Sequence, residues 1–239
     1  MNHPQWPDAT SMRDPFGEPP FDWDSFRSPL KRESTAIFPT QEEMLRICLD
    51  FAPAAGNDAP GRLLGPWADE LDPRVPEERT ILKWAVAAGC FFAPDDHNRS
   101  PHLQWASRQP LPSVDMRQAF RAIALSPWDL WEEDGGNWRS CLFGETLPVA
   151  QINKLEPSVF PFGSRRPRFW LARLVPNRTG QWAAILPLGL TAAPPPPTMA
   201  SWVRSLGPAE ADPRALLAAR GHIFVRRVLE WYCLDVETR

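Results

Sequence analysis

Between Phe160 and Leu190 the chain reads FPFGSRRPRFWLARLVPNRTGQWAAILPLGL, a stretch with Arg165, Arg166, Arg168, Arg173 and Arg178 and no acidic residue. Guanidinium forks bind phosphate or carboxylate through paired, charge-assisted hydrogen bonds. Here they are interleaved with Phe160, Phe162, Phe169, Trp170 and Trp182. Ring faces of this kind are what single-stranded nucleic acid needs for base stacking, once positive charge has met its phosphates. Gly163-Ser164 can also bring backbone N–H groups close to a phosphate. Two-residue alternation places Arg168, Trp170 and Ala172 on one strand face and Phe169, Leu171 and Arg173 on the other. Arg165, Arg166 and Arg178 then project from loops. Arg214, Arg220, Arg226 and Arg227 follow near the C-terminus, where Arg220 and Arg227, seven apart, share a face if the segment is helical. The expected nucleic-acid contacts are therefore Arg165, Arg166, Arg168, Arg173, Arg178, Arg220 and Arg227, with Trp170 as a stacking ring. The bland alternative is that these arginines lie over their own aromatic rings and meet only water or carboxylates.

Other chemistries find less support. Asp95, Asp96, His97 and His102 are the one cluster of metal-ligand types, but the two histidines stand five apart without a third ligand group nearby. A solvated polar loop explains them, and neither metal nor cofactor is expected. Glu132-Glu133-Asp134 precedes Gly135-Gly136 without the alternation of a calcium loop. That acidic run reads as a solvated helix end, or as an intramolecular mate for the arginine stretch. No GxSxG, GxxxxGK[ST] or GxGxxG occurs, and no cysteine sits in a context that pairs it with a histidine. His222 reads as structural, and no catalytic residue is assigned.

The charge is unevenly spread along the chain. The 239 residues carry a formal net charge of −3, yet residues 1–159 hold 15 Lys+Arg against 24 Asp+Glu, whereas residues 160–239 hold 11 against 5. A net of −9 followed by +6 points to a basic binding face, or to two parts that attract each other. Cys48, Cys90, Cys141 and Cys233 form no CxxC pair, which argues against zinc knuckles and a dense disulfide scaffold. The start MNHPQWPDATSMRDPFGEPP lacks the apolar core of a secretory leader, and no run approaches a membrane span. A cytoplasmic protein without membrane contact is the expectation. With 29 prolines and 12 tryptophans, the chain also suggests extended connections and ring-rich contact surfaces.

Elements must hold these residues in place. Residues 1–39 show neither a 3.6 nor a 2.0 period and read as an extended Pro/Trp-rich arm. Phe21, Trp23 and Phe26 in it, set among carboxylates, would fill pockets on a partner protein or pack on the chain's own core. Thr40 and Glu43 form a capping box for a helix carrying Met44, Ile47, Cys48 and Phe51. PWADEL suggests one helical turn. Pro76 opens a second helix buried through Ile81, Trp84, Ala85 and Ala88. Ser113 caps a third to about Leu125, and PWDLWEED reads as a short turn closed by Gly135-Gly136.

NWRSCLF suggests a strand, and residues 144–167 look irregular. RFWLARLV and QWAAILPLGL read as a hairpin, with Trp182, Ala184, Leu186, Leu188 and Leu190 on one face and Pro187 marking an edge. Prolines 194–197 read as a rigid spacer. A short helix then carries Met199, Trp202, Val203 and Leu206, and a final helix starts at Asp212-Pro213. Gly221 and the β-branched run after it leave a strand open as the alternative for 222–234. The fold class is α+β: an arm (1–39), a mainly helical part (40–136) and a smaller mixed C-terminal part (137–239) with a β-hairpin and a terminal helix.

The function expected from this is a non-catalytic subunit of a multi-protein assembly, most simply a nucleoprotein complex. Its Arg/aromatic C-terminal region would contact RNA or DNA while the arm docks on other subunits. Two alternatives stand beside it: an adaptor whose basic face meets an acidic protein, and a hydrolase or nuclease with a non-motif site around His97 or His102.

Overall fold

The computed structural model describes residues 59–92, 121–123, 125–149, 167–176 and 182–237. In chain order these form α1 (Ala59–Leu64), a 3-10 turn (Gly65–Asp69), α2 (Pro76–Phe92), β1 (Trp128–Asp134), β2 (Asn137–Ser140), β3 (Thr146–Pro148), β4 (Phe169–Pro176), β5 (Trp182–Leu190), α3 (Pro196–Arg204) and α4 (Pro213–Glu237). The fold is mixed α+β around one antiparallel sheet of order β3-β2-β1-β4-β5. The arm, the helix expected from Thr40 and the cluster from Asp95 to His102 lie outside the described residues. Of the helix expected from Ser113, residues 121–123 and 125 are described and are helical.

WDLWEED is a strand, not a turn. It pairs with β2 (Trp131 opposite Ser140, Asp134 opposite Asn137) and with β4 (Leu130 opposite Leu171, Trp131 opposite Trp170). Gly135 and Gly136, both at positive φ, make the two-residue connection, because only glycine adopts that pair of angles without a Cβ penalty. A further strand, β3, arises in the stretch read as irregular. The sheet thus takes β1 from before residue 137 and its other strands from after it, so it crosses the expected division between 136 and 137.

Two cores lie on opposite faces of this sheet. Trp128, Leu130, Leu171, Val175, Leu188 and Leu190 pack with α1, α2, α3 and α4 in the larger one. Full burial of a side chain of this size contributes about 1.5–3 kcal/mol. Trp131, Trp138, Leu147, Val149, Trp170, Ala172, Leu174 and Trp182 form the smaller one on the other face.

The hairpin of β4 and β5 is present, but β5 does not keep one face throughout. Leu171 sits opposite Leu188 while Arg173 sits opposite Ile185, so β5 carries one extra residue between these pairs. That bulge reverses the alternation: Trp182 and Ala184 meet the smaller core, whereas Leu186, Leu188 and Leu190 enter the larger one. Leu186 adopts φ 43° within it, and its carbonyl accepts the indole N–H of Trp84 at 2.9 Å. Pro187 follows on a strand that is also the sheet edge, where a missing N–H breaks no ladder bond.

Residues 222–234 are helical, within α4. Gly221 lies in its buried face, where a Cβ would collide with the Trp128 ring. The residue that weakens the helix locally is thus what lets it close on the sheet. The proline run is shorter as a spacer than expected, since Pro196 and Pro197 already form the first turn of α3 behind Pro195.

Candidate anion-binding site

The sequence places eight residues in a nucleic-acid interface. Arg165, Arg166 and Arg178 lie outside the described residues, as do the partner-binding candidates Phe21, Trp23 and Phe26. The structure separates the remaining five by what each side chain touches.

Trp170 is 5% exposed. Its ring stacks on Trp138 with centroids 5.5 Å apart and planes 7° from parallel, and its indole N–H donates to Glu133 Oε2 at 2.9 Å. Both features follow from β1 lying between β2 and β4, which brings the two rings to one face. The ring is occupied inside the protein and cannot stack a base.

Arg173 is 2% exposed. Its two terminal nitrogens donate to the carbonyls of Ile123 and Ala218, each at 3.1 Å, and its guanidinium lies 5.2 Å from the Trp128 ring centroid. Burial pulls its pKa down to about 9, which leaves it charged at neutral pH. It ties β4 to α4 and to the helical residues before β1, and it cannot reach an external phosphate. Arg173 does share a face with Leu171, as two-residue alternation requires, but that face is the covered one.

Arg168 is exposed, and its Nε donates to Glu132 Oε1 at 2.9 Å. Its guanidinium also lies 5.4 Å from the Phe169 ring. The acidic run of β1 thus supplies mates for two residues of the arginine-aromatic stretch, Glu132 for Arg168 and Glu133 for Trp170. In an exposed position such a pair contributes at most about 1 kcal/mol, so Arg168 can exchange its partner readily.

The arginines of α4 divide in two. Arg214 forms a two-pronged pair with Glu145 at 2.9 and 2.8 Å over the Phe143 ring, clamping the start of α4 to the segment before β3. Arg226 stands 3.6 Å from Glu230 and packs over Gly65, where the absence of a Cβ leaves room for its guanidinium. Arg220 and Arg227, by contrast, both reach the turn after α3. Arg220 donates to the Leu206 carbonyl at 2.8 Å, and Arg227 donates to Ser205 Oγ at 2.7 Å. That hydroxyl is itself oriented by donating to the Trp202 carbonyl at 2.7 Å.

Arg204, the last residue of α3, is exposed beside this turn. Two guanidiniums therefore meet at residues 205–206 beside the exposed Arg204, and none of the three arginines has a carboxylate within ion-pair reach among the described residues. Each keeps most of its five N–H donors for an outside acceptor. His222, nearby on α4, has its pKa brought down to about 4 by burial first, then by the positive charges of Arg173, Arg226 and Arg220.

Seven-residue spacing in the sequence picks out Arg220 and Arg227 but not Arg204. A signal for Arg204 exists, since an amphipathic helix ending in arginine leads into the turn that α4 packs against. A different polar cluster is buried rather than presented. Asp129, 1% exposed, takes the Leu130 N–H at 2.7 Å and the Ser140 hydroxyl, while Ser140 Oγ accepts the Phe143 N–H at 2.7 Å. Burial pushes the Asp129 carboxyl up to about 7, against the lowering effect of these bonds. Cys141 beside it is pushed up to about 12 by burial and by the neighbouring carboxylates, so its thiol is a poor nucleophile. Among the described residues no three His, Cys, Asp or Glu side chains come together as metal ligands, and no helix is long and apolar enough to cross a membrane. Compared with known protein families, curated proteins and solved structures, the chain finds no match.

Proposed function

We propose that this chain is a non-catalytic subunit of a nucleoprotein assembly that grips nucleic-acid backbone with Arg204, Arg220 and Arg227. The observation that carries the reading is that Arg220 and Arg227 both reach the turn after α3, next to the exposed Arg204, without a carboxylate partner among the described residues. Arg220 and Arg227 are each pre-oriented by one internal hydrogen bond, so less rotamer freedom is lost when a phosphate binds. Arg168 adds a charge whose internal mate is easily exchanged, and Arg165, Arg166 and Arg178 belong to the same proposal from sequence alone. Phosphate contacts of this type do not distinguish RNA from DNA, and affinity rests on counterion release. The arm residues Phe21, Trp23 and Phe26 would dock on neighbouring subunits.

Fluorescence anisotropy with a labelled single-stranded 20-mer tests this. Replacing Arg204, Arg220 and Arg227 together by Ala should weaken binding at least tenfold at low salt. It should also flatten the salt dependence, by about 0.7 in log–log slope for each phosphate left without its arginine. Unchanged affinity and slope would reject the site.

A second reading, an adaptor whose basic face meets an acidic protein, draws on the burial of Trp170, which leaves the arginines without that stacking ring. Purification from native cells with and without nuclease separates the two. A partner retained after nuclease, with no nucleic acid in the untreated sample, supports the adaptor.

A further inference from the structure

A cleft of about 550 Å³ opens between the 3-10 turn, the first turn of α2 and the last turns of α4. None of its lining residues belongs to the arginine turn, although Arg226 in its wall is the chain neighbour of Arg227. One part of its wall is apolar: Pro66, Trp67, Leu71 and, on α4, Leu234. Leu234 is 67% exposed, the most exposed large apolar side chain among the described residues. Leaving a leucine in water forgoes most of the 1.5–3 kcal/mol or so that its burial brings.

Its polar wall is acidic, with three glutamates (Glu70, Glu78, Glu230) against one arginine, Arg226. Glu230 is the carboxylate beside Arg226, at 3.6 Å. Glu78 accepts the Asp72 N–H, a neutral donor that leaves its charge uncompensated. Glu70 is exposed and forms no ion pair among the described residues. Among the described residues, two carboxylate charges therefore stand unmatched beside an exposed leucine. The neighbouring carbonyl end of α4 adds partial negative charge of the same sign.

We propose that this cleft docks a basic amphipathic peptide segment of a partner protein, with an apolar side chain against Leu234 and Trp67 and a lysine or arginine reaching Glu70 and Glu78. Charge complementarity selects that occupant: an acidic or nucleic-acid ligand meets repulsion from both glutamates, and a purely apolar segment leaves them facing a dry surface. The volume suits two or three side chains, within the range of formed binding pockets. Anchoring by one apolar side chain with a charged rim is how short segments reach useful affinity. The proposal is independent of the arginine turn, because the two surfaces share no residue.

The full chain is titrated into a fluorescein-labelled 14-residue peptide of leucine and lysine in helical amphipathic order, and into its counterpart with glutamate for lysine. The lysine peptide should bind at least tenfold more tightly. Glu70→Lys should weaken it by about tenfold, since an attraction becomes a repulsion at the rim, and Leu234→Ser, which removes the apolar contact without adding charge, should weaken it severalfold. Both positions are exposed, so neither change threatens the fold. The Cys233 thiol, which lines the cleft outside any disulfide, supplies a second readout. Its alkylation by iodoacetamide, read by peptide mapping, should slow severalfold under the lysine peptide. Absent binding, equal binding of the two peptides, an unchanged affinity for Glu70→Lys, or unprotected Cys233 would each overturn the proposal. Glu70→Lys should leave the nucleic-acid affinity of the arginine turn intact, so either assignment can fail alone.

Discussion

Asp129 and His222 both sit in surroundings that oppose their charge, and they tilt stability with pH in opposite directions. The Asp129 carboxyl titrates near 7 in the fold and near 3.8 when exposed. Between these values the folded chain holds a proton that the unfolded chain has given up, so stability falls as pH rises from about 4 to about 7 and levels off above. His222 titrates near 4 in the fold against 6.5 when exposed. The unfolded chain there holds the extra proton, and stability rises with pH between about 4 and 6.5. In the wild-type chain the two slopes offset one another across that shared window. Asp129→Asn should remove the first and leave the second. Urea melts from pH 4.5 to 8 should show the variant gaining on the wild type as pH rises, by on the order of 4 kcal/mol at full ionisation. A difference that does not change with pH would show that Asp129 is not the buried acid. None of this is legible in the sequence, where Asp129 is one of several carboxylates in a short acidic segment. Its burial comes from Ala172 and Ser140 on the neighbouring strands.

Periodicity is informative for elements with a single buried stripe and uninformative for those covered on both sides. Ile81, Trp84, Ala85 and Ala88 mark α2, and the two β-rich runs around PNRTG mark β4 and β5. β1 escapes it because Glu132, Glu133 and Asp134 resemble a helix end, although Gly135-Gly136 between two Trp-containing runs is a hairpin signal. The bulge at Leu186 is hidden for a different reason. One extra residue changes no local composition, and only pairing with β4 reveals that the faces exchange.

Gly221 gives the element scale its test. In an isolated helix Gly→Ala gains up to about 1 kcal/mol. Here the new methyl group would meet the fully buried Trp128 ring, itself packed edge-on against Trp84 with centroids 6.0 Å apart. Overpacking at such a site costs about 1–3 kcal/mol, so Gly221→Ala should lower the melting temperature. A higher one would mean that the ring withdraws freely.

At the scale of the molecule, the sheet is a partition between two cores, and adjacent residues of β4 belong to different ones. Leu171 enters the helix-covered core and Trp170 the tryptophan cluster. Because both hang from the same strand, Leu171→Ala and Trp170→Ala should each destabilise the chain by roughly 2–5 kcal/mol. Circular dichroism and tryptophan fluorescence should then still report one shared transition in either variant. Two separated transitions would show that the faces unfold independently. The same partition explains the fate of the basic stretch. Its strand residues Trp170 and Arg173 are drawn to the two sides of the sheet, Arg168 meets Glu132 across it, and the unmatched positive charge gathers at the turn that α3 and α4 share.

Amino-acid order alone determined the α+β class, the hairpin of β4 and β5, α2, and the presence of more arginine than local carboxylate in the last third of the chain. These follow from composition and short-range period, which act within a few residues. Tertiary structure decided which arginines are available. Arg173 and Arg214 are enclosed by contacts with residues more than 40 positions away, whereas Arg220 and Arg227 converge on one turn, beside the exposed Arg204, because two helices meet there. Availability of a charge depends on what folds over it, and the residues that do so are distant in the chain.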